Sequence, residues 1–226
     1  MRIINELCGI ELNFEEDKVN VLVIEKQELM SIVVNDFWNQ SNGGEGEFII
    51  ADNDNILNPN KILECIINPF SVDVNDKKIL TAIYKQLTDD ANLDYQEELL
   101  ELNSRIVHTI DNLLEAEQYA FSLNLDLDVN GLLKLYNVKL DYEEERLIEK
   151  LINYIKLVHA ICKKQIIVLV NMKTFFSSEE IEYLYEVSFY EKINLIMIET
   201  CSSEFISGEK ITIIDSDNCF IMLESE

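Results

Sequence analysis

Apolar positions along this chain follow two regimes. Towards both ends they come as short unbroken runs, and in the middle they recur every three or four residues. Val19 to Ile24 is a β-branched run and predicts a buried strand. A helix is expected over 27–40, with Leu29, Ile32, Val33 and Phe37 on one face. Ser41-Asn-Gly-Gly-Glu-Gly46 is the clearest turn. A strand over 48–50 and a second buried strand over 62–67 follow, the latter closed by Pro69.

After Pro69 the period changes. Ile79, Leu80, Ile83, Tyr84 and Leu87, then Leu99, Leu102, Ile106, Ile110 and Leu113, predict two long helices between 75 and 120, interrupted at 89–94. Leu123 to Asp128 alternates, but is too short to assign. Another helix is expected over 141–164. Strand character then returns. Ile166 to Val170 reads as a central parallel strand buried on both faces. Ser177-x-x-Glu180 is a capping box that opens a helix. Asn194 to Glu199 is the next buried strand, so 165–199 forms a βαβ unit. Short closing strands are expected over 210–214 and 218–223. The fold class is therefore α/β, with a sheet domain from 1–72 and 164–226 and a helical insertion over 73–163.

Composition narrows the function. In 226 residues, 43 acids oppose 18 bases, for a net charge of −25, with only 6 glycines and 2 prolines. The balance argues against a simple basic DNA-binding domain and for acidic surfaces facing solvent, partners or divalent cations. Charge is uneven, however. Residues 134–173 hold eight bases and five acids, net +3. Lys77, Lys78 and Lys85 form a second basic cluster. Such a strip can focus an anion locally, or be an ordinary solvated helix face. The start of the chain has no secretory signal pattern, and no apolar run approaches a membrane span. Five scattered cysteines without CxxC spacing predict neither zinc nor a disulfide framework, but a reducing intracellular compartment.

Enzymatic motifs are thin. The phosphate-loop pattern G-x-x-x-x-G-K-[ST] is absent. The two histidines, His108 and His159, fall on helical segments without a nucleophile motif. Asp126-x-Asp128-x-Asn130-Gly131 matches the first half of a calcium loop, but its twelfth position is Asn137 rather than Glu. It reads as either a cation site completed by other acids, such as Glu115 or Glu117, or a polar turn. Metal-dependent nuclease chemistry by clustered carboxylates stays open, as does an acidic protein scaffold that mimics DNA.

Several segments together resemble a known family. In order they are 67–81 (INPFSVDVNDKKILT), 132–139 (LLKLYNVK), 147–155 (LIEKLINYI), 164–173 (KQIIVLVNMK), 177–185 (SSEEIEYLY) and 191–199 (EKINLIMIE). They are similar to the Csn-two family of type II-A CRISPR-associated proteins, which act in spacer acquisition. The resemblance implies a non-enzymatic, cytoplasmic protein that forms a ring-shaped homotetramer around double-stranded DNA and loads at its ends. It implies a head domain like a P-loop ATPase core without the phosphate loop, and a leg domain of long helices. Calcium would stabilise the legs and the ring. Partners would be the CRISPR integrase subunits and the RNA-guided effector nuclease. On this resemblance the DNA-binding candidates are Lys77, Lys78, Lys134, Lys150, Lys163 and Lys164. The metal candidates are Glu117, Asp126 and Asp128.

Overall fold

A computed structural model describes residues 1–53, 55–115, 117–142, 146–201 and 204–224. It is mixed α/β and divides into two compact units, 1–76 with 143–226 and 77–142. Residues 146–163, read from the sequence as part of the helical insertion, here belong to the sheet unit.

The sheet unit holds a six-stranded sheet. Its strands are β3 (Val19–Ile24), β6 (Leu63–Ile66), β7 (Ile166–Val170), β8 (Asn194–Glu199), β9 (Glu209–Ile214) and β10 (Phe220–Glu224). The order is β10-β9-β3-β8-β7-β6. All pairings are parallel except β10 with β9. Every residue of β3, β6 and β7 is buried, which explains their unbroken apolar runs. A second, antiparallel sheet was not legible in the sequence. It is built from β1 (Arg2–Asn5), β2 (Ile10–Asn13), β4 (Ile49–Asp52) and β5 (Asn55–Leu57), in the order β2-β1-β4-β5.

Helix α1 (Gln27–Ser41) joins the two sheets through one core. Met30, Val33 and Phe37 pack with Ile3 and Ile50 of the small sheet and with Leu22, Val168 and Ile196 of the large one. Phe37 stacks on Phe48 with ring centres 3.9 Å apart. Short α2 (Pro59–Ile62) precedes β6, with the Asn58 side chain accepting from the Asn60 amide. Helix α6 (Leu147–Ala160) buries Ile148, Leu151, Ile155 and Val158. It starts later than the periodicity suggests, and residues 143–145 of the expected helix lie outside the described residues. Helix α7 (Ser178–Tyr190) carries the expected capping box: Ser177 Oγ accepts from the Glu180 amide, and Glu180 Oε2 from the Ser177 amide.

The helical unit contains α3 (Lys77–Asp94), α4 (Gln96–Leu114) and α5 (Val129–Leu135). The acids at 89–94 do not interrupt α3, because their side chains need no burial. The break falls at Tyr95, where the backbone leaves the helical region (φ −122°, ψ 23°). The alternating stretch 123–128 forms no strand. Tyr84 Oη donates to the Val138 carbonyl, tying the segment after α5 to α3. Helix α4 buries none of its residues within this chain. No described helix is long and apolar enough to cross a membrane.

Candidate nucleic-acid interface

The six candidate lysines divide by environment as well as by unit. In the helical unit, Lys77 and Lys78 open α3 and are exposed. Lys85 lies seven residues beyond Lys78, on the same face. Cations at a helix N-terminus oppose the helix dipole. Exposed Lys134 lies in the last turn of α5, where the dipole favours a cation.

In the sheet unit, Lys150 is half-buried in the first turn of α6. Lys163 is exposed in a left-handed conformation (φ 61°) just after α6, and its Nζ donates to the Ala160 carbonyl at 2.7 Å. Lys164 differs from all of these. Only 7% exposed, its Nζ donates to the carbonyls of Asn60 (2.6 Å) and Leu63 (2.8 Å) and lies 3.9 Å from Glu64 Oε2. Tyr154 Oη donates to the other Glu64 oxygen at 2.9 Å. Desolvation, then the neighbouring Glu64 charge, pushes the Tyr154 hydroxyl well above its ordinary range. Lys164 therefore neutralises a carboxylate buried in strand β6.

A second buried network went unread in the sequence. Lys173 Nζ meets Glu209 Oε1 at 2.6 Å, and Tyr185 Oη donates to the same oxygen at 2.7 Å. Nearby, Glu199 ends β8 and accepts from the Lys173 amide at 3.2 Å. Burial pushes the Glu199 carboxyl up to about 7, against the lowering effect of that amide and of the Lys173 charge. The only legible signal was an acid closing an apolar run, as in Asn194 to Glu199.

The metal candidates are not brought together. Glu117, Asp126 and Asp128 are exposed, and among the described residues no three His, Cys, Asp or Glu side chains are placed to hold a metal. The half calcium loop is not a loop throughout, because α5 begins at Val129 with Asp128 at its N-cap. Two local features do suit a cation: Asn130 Oδ1 is buried without a partner, and a Cβ on Gly131 would collide with the Asp128 carboxylate. By themselves these two features supply fewer oxygens than the six to eight that calcium takes. The histidines have ordinary partners: His108 faces Asn112, and His159 Nδ1 lies 2.7 Å from the Lys164 carbonyl. Cys65 is buried and its thiol is pushed up to about 12, mainly by desolvation, so it is unreactive.

At the carboxyl end of β3, where a phosphate loop would follow a first strand, only Glu25 and Lys26 connect to α1. Neither is glycine, and Lys26 offers no side-chain cap. The family model described as CRISPR-associated protein (Cas_Csn2) matches residues 40–218. That span covers most of both units, including four of the six strands of the large sheet (β6, β7, β8 and β9) and all three helices of the helical unit. The chain therefore belongs to the Cas_Csn2 family of CRISPR-associated proteins.

Proposed function

We propose that this protein is a non-enzymatic, ring-forming binder of double-stranded DNA ends that supports CRISPR spacer acquisition in the cytoplasm. The family match carries this reading. Four copies would close into a ring, with the sheet unit as the head and the helical unit as the inserted leg. The parallel strands, numbered in chain order, run 5-1-4-3-2, which supports likening the head to a P-loop ATPase sheet. The two-residue connection after its first strand supports a head without nucleotide chemistry.

Exposed Lys77, Lys78, Lys134 and Lys163, with half-buried Lys150, supply phosphate contacts in this reading. Lys164 serves the fold instead. Phosphate contacts position a protein without reading sequence, which suits a protein that must accept any spacer. Repetition around a ring multiplies weak contacts, and an acidic exterior leaves the lysine-lined hole as the favourable path. Calcium, held by Asp126, Asp128 and Glu117 with further donors from the assembly, would offset carboxylate repulsion between legs. The integrase subunits and the RNA-guided effector nuclease are the proposed partners.

Retention of linear against covalently closed circular duplex, at low salt with calcium, tests the reading. Threading predicts that linear DNA is retarded and closed circles are not. Equal retention of both contradicts threading. Cleavage of labelled duplex in magnesium or manganese contradicts a non-enzymatic role.

A further inference from the structure

Strand β10 forms one edge of the large sheet, and among the described residues it pairs with β9 alone. The pairing runs without a bulge from Phe220 opposite Ile214 to Glu224 opposite Lys210. That ladder fixes which main-chain groups of β10 are left over. At the hairpin turn the Asp215 amide donates to the Cys219 carbonyl at 3.1 Å, so these two residues are a hydrogen-bonded pair. Alternation makes Ile221 and Leu223 the next residues bonded to β9. It turns the N–H and C=O of Phe220, Met222 and Glu224 away from β9, out of the sheet edge.

An open edge invites another strand, and proteins usually blunt it with lysine, proline, a bulge or a covering segment. The opposite edge strand, β6, has every residue buried. β10 has none of these protections. Residues 218–223, Asn-Cys-Phe-Ile-Met-Leu, carry no charge and no proline in a chain of which 27% is charged. Phe220, Ile221, Met222 and Leu223 are between 42% and 68% exposed, and their alternation leaves apolar side chains on both faces of the strand.

The edge is complementary to itself. An antiparallel twofold through Met222 sets Met222 opposite Met222, and Phe220 of each copy opposite Glu224 of the other. That register uses all three outward-facing residues, for about six main-chain hydrogen bonds. Ile221 meets Leu223, so exposed apolar side chains are covered from both copies at once. Charge also selects this occupant. Two chains of net charge −25 repel, yet here the strands meet along an uncharged stretch, with each Glu224 set against a phenylalanine rather than an acid. Such a contact is isologous and closes at two copies. The family match ends at residue 218, before β10 begins.

We infer that β10 pairs with β10 of a second copy, joining two six-stranded sheets into one. Neither DNA nor calcium enters this contact, so it is tested on DNA-free, full-length protein in chelator. Met222→Cys, in a background with the exposed Cys201 and Cys219 changed to Ser, is oxidised with diamide and followed by non-reducing electrophoresis. A covalent dimer is expected, because the two Cα atoms of a hydrogen-bonded pair lie about 5.5 Å apart, within disulfide reach. Ile221→Cys in the same background should cross-link at least about fivefold less, since its own copy sits two residues out of register. No dimer above the background protein overturns the inference, as does equal cross-linking at 221 and 222. Met222→Pro removes an outward N–H without touching the β9 ladder. At about 100 µM in chelator the wild type should sediment as a dimer and Met222→Pro as a protomer. A dimer undiminished in Met222→Pro, or a wild-type protomer, also overturns it. A calcium-dependent tetramer that fails to cross-link at 222 would sink this contact and leave the ring standing. A cross-linked dimer that calcium never enlarges would do the reverse.

Discussion

Lys163 and Lys164 are sequence neighbours with opposite fates. The first ends in solvent, and the second is buried against Glu64 and two carbonyls. Lys164→Met should therefore destabilise the protein by about 3 kcal/mol in urea denaturation, since removing one partner leaves a buried carboxylate uncompensated. Lys163→Ala should change stability by less than about 0.5 kcal/mol. If the proposed DNA role holds, it should also lower the slope of log affinity against log salt by about one per protomer. The two lysines look alike in the sequence, because nothing local reports that β6 places Glu64 beside Lys164. Glu199 makes a pH prediction. Its carboxyl is raised from an ordinary 4.5 to about 7, so its neutral form is favoured by folding. Its contribution is full below pH 4.5 and is lost as pH rises through 7. Thermal melts should show wild type losing stability relative to Glu199→Gln between those pH values. Parallel curves for the two proteins would refute the shift.

Elements buried on two faces were the easiest to read. Strands β3, β7 and β8, and the capped start of α7, stand where their patterns put them, because each signal is local. Strands β1 and β2 were missed because each is four residues long, and the hairpin they form takes its place through β1 pairing with the distant β4. Helix α4 shows the converse. Its apolar spacing was legible, yet no residue of it is buried in the protomer, and Leu102 and Leu113 are 43% and 69% exposed. Stripes of that kind in a chain this charged suit an interface. Leu102→Glu with Leu113→Glu should leave the unfolding midpoint of the dilute protomer nearly unchanged, by less than about 1 kcal/mol, while reducing the assembled mass seen by light scattering. An unchanged assembly would remove α4 from the interface. The candidate metal site was only half legible, since a short motif specifies residue types but not the donors that other segments bring.

A protein of net charge −25 that binds DNA must separate its charges in space. In the proposed reading, closure of several copies would do this, with acids facing outward and a few lysines per copy facing a shared hole. Four chains of 26.3 kDa would carry a combined formal charge of −100, so assembly should need a counter-charge. The α/β architecture and the family were legible from the order of segments. The proposed assembly was not, because it would depend on surfaces that pair only between copies. Analytical ultracentrifugation with calcium, and again after chelation, measures that assembly. Sedimentation as a species of about four times 26.3 kDa that falls to smaller species with chelator is the result predicted here. A protomer of 26.3 kDa under both conditions would contradict it.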